Sequence, residues 1–200
     1  MTSELEIFDD PVGAFLAMWA RVTETAPDGF DPATATLATA TPDGRPSART
    51  VLVRGVTARG FQFYTNYGSR KARELDANPE AALCFHWYGL DEQVRVEGPT
   101  ERTTAEESDG YFATRARGSQ LGAWASRQSE PLASRASLEA RYHDLDRQYR
   151  GLVVPRPAFW GGYTLVPARI EFWRAGEFRL HHRVAYTRED DRWVAERLYP

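Results

Sequence analysis

The chain has 200 residues, 42% hydrophobic and 12% aromatic, enough apolar side chain to bury a full core, and this length predicts one domain spanning 1–200. A formal net charge of -3, with arginines interspersed among carboxylates, argues against an electrostatic binder of nucleic acid. One cysteine, Cys84, excludes an intrachain disulfide and any cysteine-rich metal site; within the apolar run AALCF it reads as a buried core thiol. The acidic opening MTSELEIFDD lacks the basic and apolar regions of a signal peptide, and no window has the apolar length of a membrane span, so a soluble, cytoplasmic protein is expected.

Taken in order, the chain opens with a helix that Asp10 can cap and Pro11 can start, with Val12, Phe15, Leu16, Trp19 and Val22 as one apolar stripe. Small and β-branched residues from Thr34 to Ala40 predict a strand, and Thr41-Pro42-Asp43-Gly44 a tight turn. Arg49 to Arg54 alternates in the strand period, with Arg49, Val51 and Val53 on one face and Thr50, Leu52 and Arg54 on the other. The link Gly55 to Gly60 suits a hairpin into an aromatic-rich strand from Phe61 to Thr65. Ala81 to Tyr88 and Glu92 to Gly98 are two further strands, the second setting Gln93, Arg95 and Glu97 against Val94 and Val96. A helix is predicted from Thr103 to about Thr114, then a looser segment from Arg115 to Ser129. Ala133 to Tyr149 is a polar helix whose Leu138, Tyr142, Leu145 and Tyr149 provide one face against the rest of the fold. Strands at Tyr163–Trp173, Glu177–Thr187 and Arg192–Leu198 complete an α+β chain of roughly eight strands and three or four helices. Antiparallel strands joined by short turns point to a closed or nearly closed barrel with peripheral helices.

The helix after the aromatic strand carries its charges in the unfavourable order. Ser69 is a plausible N-cap, yet Arg70 and Lys71 occupy the first turn, while Glu74 and Asp76 fall toward the end. Cations there oppose the macrodipole by a few tenths up to ~1 kcal/mol each. A phosphate on the free N–H groups, ringed by Arg70, Lys71 and Arg49, would repair the fault; a solvated basic turn is the alternative.

Walker, G-x-G-x-x-G, H-E-x-x-H and nucleophile-elbow motifs are all missing. His181 and His182 would point to opposite faces of a strand, His86 and His143 have no partner spacing, and no metal site is predicted. On the predicted strand Arg179, His181 and Arg183 share one face, where three potential cations call for an anion or an electron-rich ring, or else form a solvated cationic edge.

The segments SARTVLVRG, GFQFYTNYGSRKARELDANP, YFATRARGSQLGAWASRQSE, FWGGY, IEFW and GEFRLHHR, in this order and spacing, resemble the pyridoxine/pyridoxamine 5'-phosphate oxidase family from about Asp10 to Pro200. The resemblance implies an FMN-binding split β-barrel and a homodimer with two FMN sites at the subunit interface. It implies FMN contacts from Arg49, Thr50, Val51, Leu52, Tyr64, Thr65, Arg70, Lys71, Gln93, Gln128, Ser129, Trp173 and Arg183. It further implies that Arg54, Tyr111, Arg115 and Ser119 contact substrate, with Arg179 and His181 as the catalytic pair at the pyridine ring; Asp31 matches a family acidic position.

The activity so implied is FMN-dependent oxidation of pyridoxine or pyridoxamine 5'-phosphate to pyridoxal 5'-phosphate, with O2 reduced to hydrogen peroxide. The chain departs from the family at Arg54, usually a lysine, and at His182, usually an aspartate. It begins just before the first helix, so the basic, aromatic segment that often lies over the substrate is expected to be absent. Relatives that oxidise reduced phenazine-type intermediates share the flavin site, and a non-catalytic flavin or pyridoxal phosphate carrier is the alternative of another class. Retention of Tyr111, Arg115 and Ser119 favours the vitamin B6 phosphate substrate.

Overall fold

The computed structural model describes residues 5–200; the first four residues of the acidic opening segment lie outside it. Six strands, β1 (Thr34–Ala40), β2 (Pro46–Thr57), β3 (Gly60–Asn66), β4 (Glu80–Trp87), β5 (Glu92–Arg102) and β6 (Trp160–Leu165), are antiparallel neighbours. Pairing of β4 with both β1 and β5, and of β6 with both β3 and β5, closes them into a barrel. Three more strands, β7 (Arg169–Arg174), β8 (His182–Glu189) and β9 (Arg192–Arg197), extend the sheet outward from β5. Closure leaves the barrel strands without free edges, so each can bury its inward alternate residues.

Helix α1 (Pro11–Thr25) begins as its sequence demands, with the Asp10 side chain accepting from the Val12 N–H and Pro11 in the first turn. Its Phe15 is fully buried, with ring centroids 4.8 Å from Phe61, 4.9 Å from Phe85 and 5.6 Å from Trp87. One helical side chain therefore joins aromatics from β3 and β4 in a single cluster. The other barrel positions follow the period-2 pattern, so Val94 and Val96 are buried between outward Gln93, Arg95 and Glu97.

Several elements differ from the sequence reading for physical reasons. Strand β2 runs to Thr57, because the turn needs only Ala58 and Arg59, and its register shifts between Val53 and Gly55, placing a bulge at Arg54. Strand β5 continues past Gly98 and Pro99 to Arg102, exchanging its β4 and β7 neighbours for β6. A Cβ at Gly98 would lie 2.1 Å from the Val166 carbonyl oxygen, so only glycine allows the crossing. The single strand expected from Tyr163 to Trp173 is two, β6 and β7, separated around Pro167.

Helices α3 (Ala105–Thr114), α4 (Arg117–Ala125) and α5 (Arg135–Gln148) lie between β5 and β6 in sequence. Helix α4 occupies most of the segment expected to be loose. The Tyr142, Leu145 and Tyr149 face of α5 packs against Phe112, Leu121, Val154 and Trp160, a satellite cluster outside the barrel core. Cys84 is half-buried between the buried inward residues Leu83 and Phe85, which corrects the expectation of a core thiol. Burial and nearby Glu171 still push its thiol pKa up, against the opposing charge of Arg95.

The reversed charges of α2 (Arg70–Ala77) are resolved inside the chain. Ser69 caps the helix, accepting from the Ala72 N–H. Glu74 is buried and acts as a hub: Oε1 accepts from Arg70 Nε at 2.8 Å, and Oε2 accepts from Ser47 Oγ at 2.6 Å, from Arg49 Nη2 at 3.2 Å and from the Thr39 hydroxyl. Burial alone would raise its pKa, but the bonds from Ser47, Thr39 and Arg70 outweigh it and bring it to about 2. One carboxylate thus ties α2 to β1 and β2.

Two outcomes follow from this packing. Phe15→Ala is expected to destabilise the fold by about 3–5 kcal/mol, the range for a buried aromatic lost from a packed core; urea unfolding with an unchanged midpoint would contradict the role given to the ring. Because the folded pKa of Glu74 lies below its ordinary 4.5, its contribution is complete above that pH and is lost as pH falls toward 2. Acid-unfolding curves of the native chain and Glu74→Gln should therefore differ most above pH 4.5 and converge below it, whereas a constant offset would remove Glu74 from the linkage.

Candidate active site

A cavity of about 680 Å³ lies between the outer face of β2, the end of β3 and helices α2 to α4. Alternation along β2 turns Thr50, Leu52 and Arg54 outward into it, and Val51 also lines that wall. The bulge at Arg54 re-aims that side chain, whose Nη2 lies 3.3 Å from Asp31 Oδ2. From β3 come Tyr64 and Thr65, from α2 Lys71, from α3 Tyr111, from the turn after it Arg115, and from α4 Ser119.

Two cations in this cavity are held without a carboxylate. Lys71 is buried and donates to Thr65 Oγ1 at 3.1 Å and Gln128 Oε1 at 3.3 Å. Burial, and secondarily the charge of Arg49, lower its pKa. Arg115 is stacked over Trp160, 4.7 Å from the ring centroid, and its buried Nη1 has no hydrogen-bond partner. Burial lowers its pKa too, against a smaller opposing effect of Tyr111. Among the described lining residues Arg54, Lys71 and Arg115 carry positive charge and none is acidic, although the chain as a whole is net negative. Such a surface is built to take up anions.

An aromatic wall stands beside Arg115. Tyr64 and Tyr111 stack with centroids 4.0 Å apart, and Trp160 lies nearly parallel to both at 5.6 and 6.2 Å. Trp160 was not singled out from sequence; its place in the aromatic run FWGGY is the signal that marks it. Burial raises the Tyr64 pKa, so its hydroxyl stays protonated at neutral pH.

The cavity brings together Thr50, Val51, Leu52, Arg54, Tyr64, Thr65, Lys71, Tyr111, Arg115, Ser119 and Gln128 of the expected residues. The others lie elsewhere. Arg49 and Arg70 turn to Glu74, and Arg49 also donates to Leu37 O and Thr39 Oγ1. Ser129, in a left-handed conformation with φ 73°, follows Gln128 in the chain outside the lining.

A second group forms a row across the extension. Gln93 on β5 pairs in register with Trp173 on β7, and Trp173 with Arg183 on β8, so all three project from one face. Arg183 donates from Nε and Nη2 to Glu171 Oε1 at 2.9 and 2.8 Å, and from Nη1 to the Tyr199 carbonyl at 2.8 Å. The expectation of a strand carrying Arg179, His181 and Arg183 on one face does not hold. Glu177–Arg179 forms a tight turn with Phe178 and Arg179 at positive φ, strand β8 begins at His182, and His181 rests against Trp173 with centroids 4.7 Å apart. For the same reason His181 and His182 are not the two opposite faces of one strand.

Residues 27–149 match the family model described as pyridoxamine 5'-phosphate oxidase, and residues 160–200 match the pyridoxine 5'-phosphate oxidase C-terminal dimerisation region. A protein of Rubrobacter xylanophilus named pyridoxine/pyridoxamine 5'-phosphate oxidase is 62% identical over 171 residues, 86% of this chain and 79% of that one. A protein of the same name from Myxococcus xanthus is 52% identical over 200 residues, covering 100% of this chain and 96% of its own. Among solved structures, PhzG from Burkholderia lata 383 in complex with tetrahydrophenazine-1-carboxylic acid is similar with a TM-score of 0.88 and 31% identity, over 99% of this chain and 100% of that one. No helix among the described residues is long and apolar enough to cross a membrane. A barrel with this cavity, matched by family models over most of its length, makes the chain a member of the pyridoxamine 5'-phosphate oxidase family of FMN-dependent oxidases.

Proposed function

We propose that the chain oxidises pyridoxine or pyridoxamine 5'-phosphate to pyridoxal 5'-phosphate, with O2 reduced to hydrogen peroxide. The observation that carries this reading is a pair of carboxylate-free cations in one cavity, the buried Lys71 and the half-buried Arg115 with its buried, unpartnered Nη1. Two uncompensated charges at separate points of one cavity suit two anionic groups, the phosphate of the cofactor and that of the substrate.

In this reading Lys71, with Thr65 and Gln128, receives the FMN phosphate. Arg115 and Arg54 flank the substrate phosphate, Ser119 and Tyr111 supply hydroxyl donors, and Trp160 holds the Arg115 guanidinium flat. When bound, FMN supplies the two-electron oxidation and passes the electrons to O2. The chain's own task is positioning. Arg179 holds the substrate ring, His181 orients it, and no strong general base is required. The row Gln93, Trp173 and Arg183 belongs to the flavin site through a homodimer, in which a second copy brings its row to this cavity. The dimerisation region matched at residues 160–200 contains two of the three residues.

Oxidation of a dihydro-aromatic acid is the rival reading, favoured by the likeness to PhzG in complex with a tetrahydrophenazine acid. A carboxylate can also pair with Arg115. It leaves Arg54, Ser119 and Tyr111 with less to do than a phosphate would, and the curated relatives named for B6 phosphates have the higher identity.

Peroxide release from the FMN-loaded protein is expected with pyridoxine and pyridoxamine 5'-phosphate, and Arg115→Ala should raise KM for them at least tenfold, about the worth of one charged hydrogen bond. Turnover confined to dihydro-aromatic acids would overturn the assignment. Lys71→Ala should weaken FMN affinity by roughly tenfold or more, read by flavin fluorescence titration; unchanged affinity would take Lys71 out of the phosphate site.

A further inference from the structure

The segment Gly176–His181 has a backbone that its own side chains do not explain. Phe178 and Arg179 are successive non-glycine residues at φ 56° and 63°, a conformation that costs energy at each. Phe178 is 90% exposed and Leu180 66%, so within the chain neither apolar side chain gains burial from the turn. What the turn does achieve is to bring His181 back onto Gly176, whose N–H donates to His181 Nδ1 at 3.2 Å. Approach is so close that a Cβ at Gly176 would lie 2.0 Å from the Leu180 carbonyl oxygen and 3.3 Å from the His181 Cα. The ring is held from another side by Trp173, itself in the row with Gln93 and Arg183.

A backbone N–H can only donate, so the nitrogen facing it must offer a lone pair. In a neutral imidazole the proton then resides on the other nitrogen. We propose that Gly176 is a positioning residue that fixes His181 as the Nε2–H tautomer, so that His181 meets bound substrate as a hydrogen-bond donor and not as a proton acceptor. The inference deepens the proposed function and rests on it for the partner, a lone-pair-bearing atom on a flat aromatic substrate. It accounts for a glycine at position 176 and for two left-handed residues in a turn with no glycine at either.

The tautomer is measurable without turnover. Long-range nitrogen–proton correlation spectra of the FMN-loaded chain labelled with 15N-histidine, with His181 identified by its loss in His181→Gln, should show an unprotonated Nδ1 and a protonated Nε2 at neutral pH. A proton on Nδ1 would overturn the proposal. Kinetics give a second, independent reading. His181→Gln, which keeps an N–H donor, is expected to lose about tenfold in turnover, and His181→Leu about a hundredfold or more, the usual cost of removing a preorganised donor. Equal losses would contradict a donor role. Gly176→Ala should lower kcat and disturb the His181 pattern while leaving FMN affinity unchanged; if that variant does not fold, the native spectrum and the Gln/Leu pair still decide. Failure of every B6 phosphate to turn over would sink the proposed function, whereas the wrong tautomer would sink only this inference.

Discussion

Outside the cavity, buried charge among the described residues is answered by a partner within the chain, and the pattern of answers separates scaffold from site. Among the described residues three carboxylates are nearly inaccessible, Glu74, Glu92 and Glu171, and each is claimed by arginines. Glu74 takes Arg49 and Arg70, Glu92 takes Arg21 and Arg174, and Glu171 takes Arg183 with Arg95 and Arg169 close by. Removing one partner of such a pair typically costs 3–5 kcal/mol, because the other charge is stranded out of water. These pairs join α2 to the barrel, α1 to β5 and β7, and neighbouring strands of the extension to one another. Within the cavity the same rule is broken at Lys71 and Arg115. The cost of leaving them unanswered is the reason to read the cavity as an anion site and the charge pairs elsewhere as structure.

The reversed helix shows how local reading can reach a sound place by an incomplete route. Arg70 and Lys71 ahead of Glu74 do oppose the macrodipole of α2, and the sequence pattern exposes that directly. Spacing also contains the internal remedy, since Arg70 and Glu74 are four apart, the separation that meets on a helix face. Arg49 and Ser47 arrive at the same carboxylate from another element, which no window around α2 reveals. Lys71 alone of the three cations turns toward the cavity. Its direction depends on Thr65 and on Gln128, a residue 57 positions away.

Other elements divide along the same line. The hairpin of β2 and β3, the Ser69 cap and the alternation of Val94 and Val96 were legible because strand period and cap chemistry act within a few residues. Helix α4 was not, since Ala116 at its N-cap offers no side-chain bond and Gly118 and Gly122 dilute its pattern. Pro167 marks the break between β6 and β7, but the apolar run on both sides of it masks the interruption. The turn at Phe178 and Arg179 was hidden for a stronger reason. Neither residue favours a left-handed backbone, so local propensity points away from the conformation that the turn adopts.

The division of the expected site residues into two groups within one chain has a physical consequence. The cavity wall comes almost entirely from residues 50–128, whereas Trp173 and Arg183 stand on strands that extend away from the barrel. Arg183 is already oriented there, with Nε and Nη2 on Glu171 and Nη1 on the Tyr199 carbonyl, so it needs no rearrangement to present its remaining face. Under the proposed dimer, this rigidity transfers precision from one copy to the other, since a row fixed by cross-strand register moves as a unit with its sheet. The strained turn beside it then serves the same end, holding His181 to Trp173 and Gly176 so that ring and row arrive together. Assembly would complete the chemistry by bringing two preformed halves into contact, with little left for either half to rearrange.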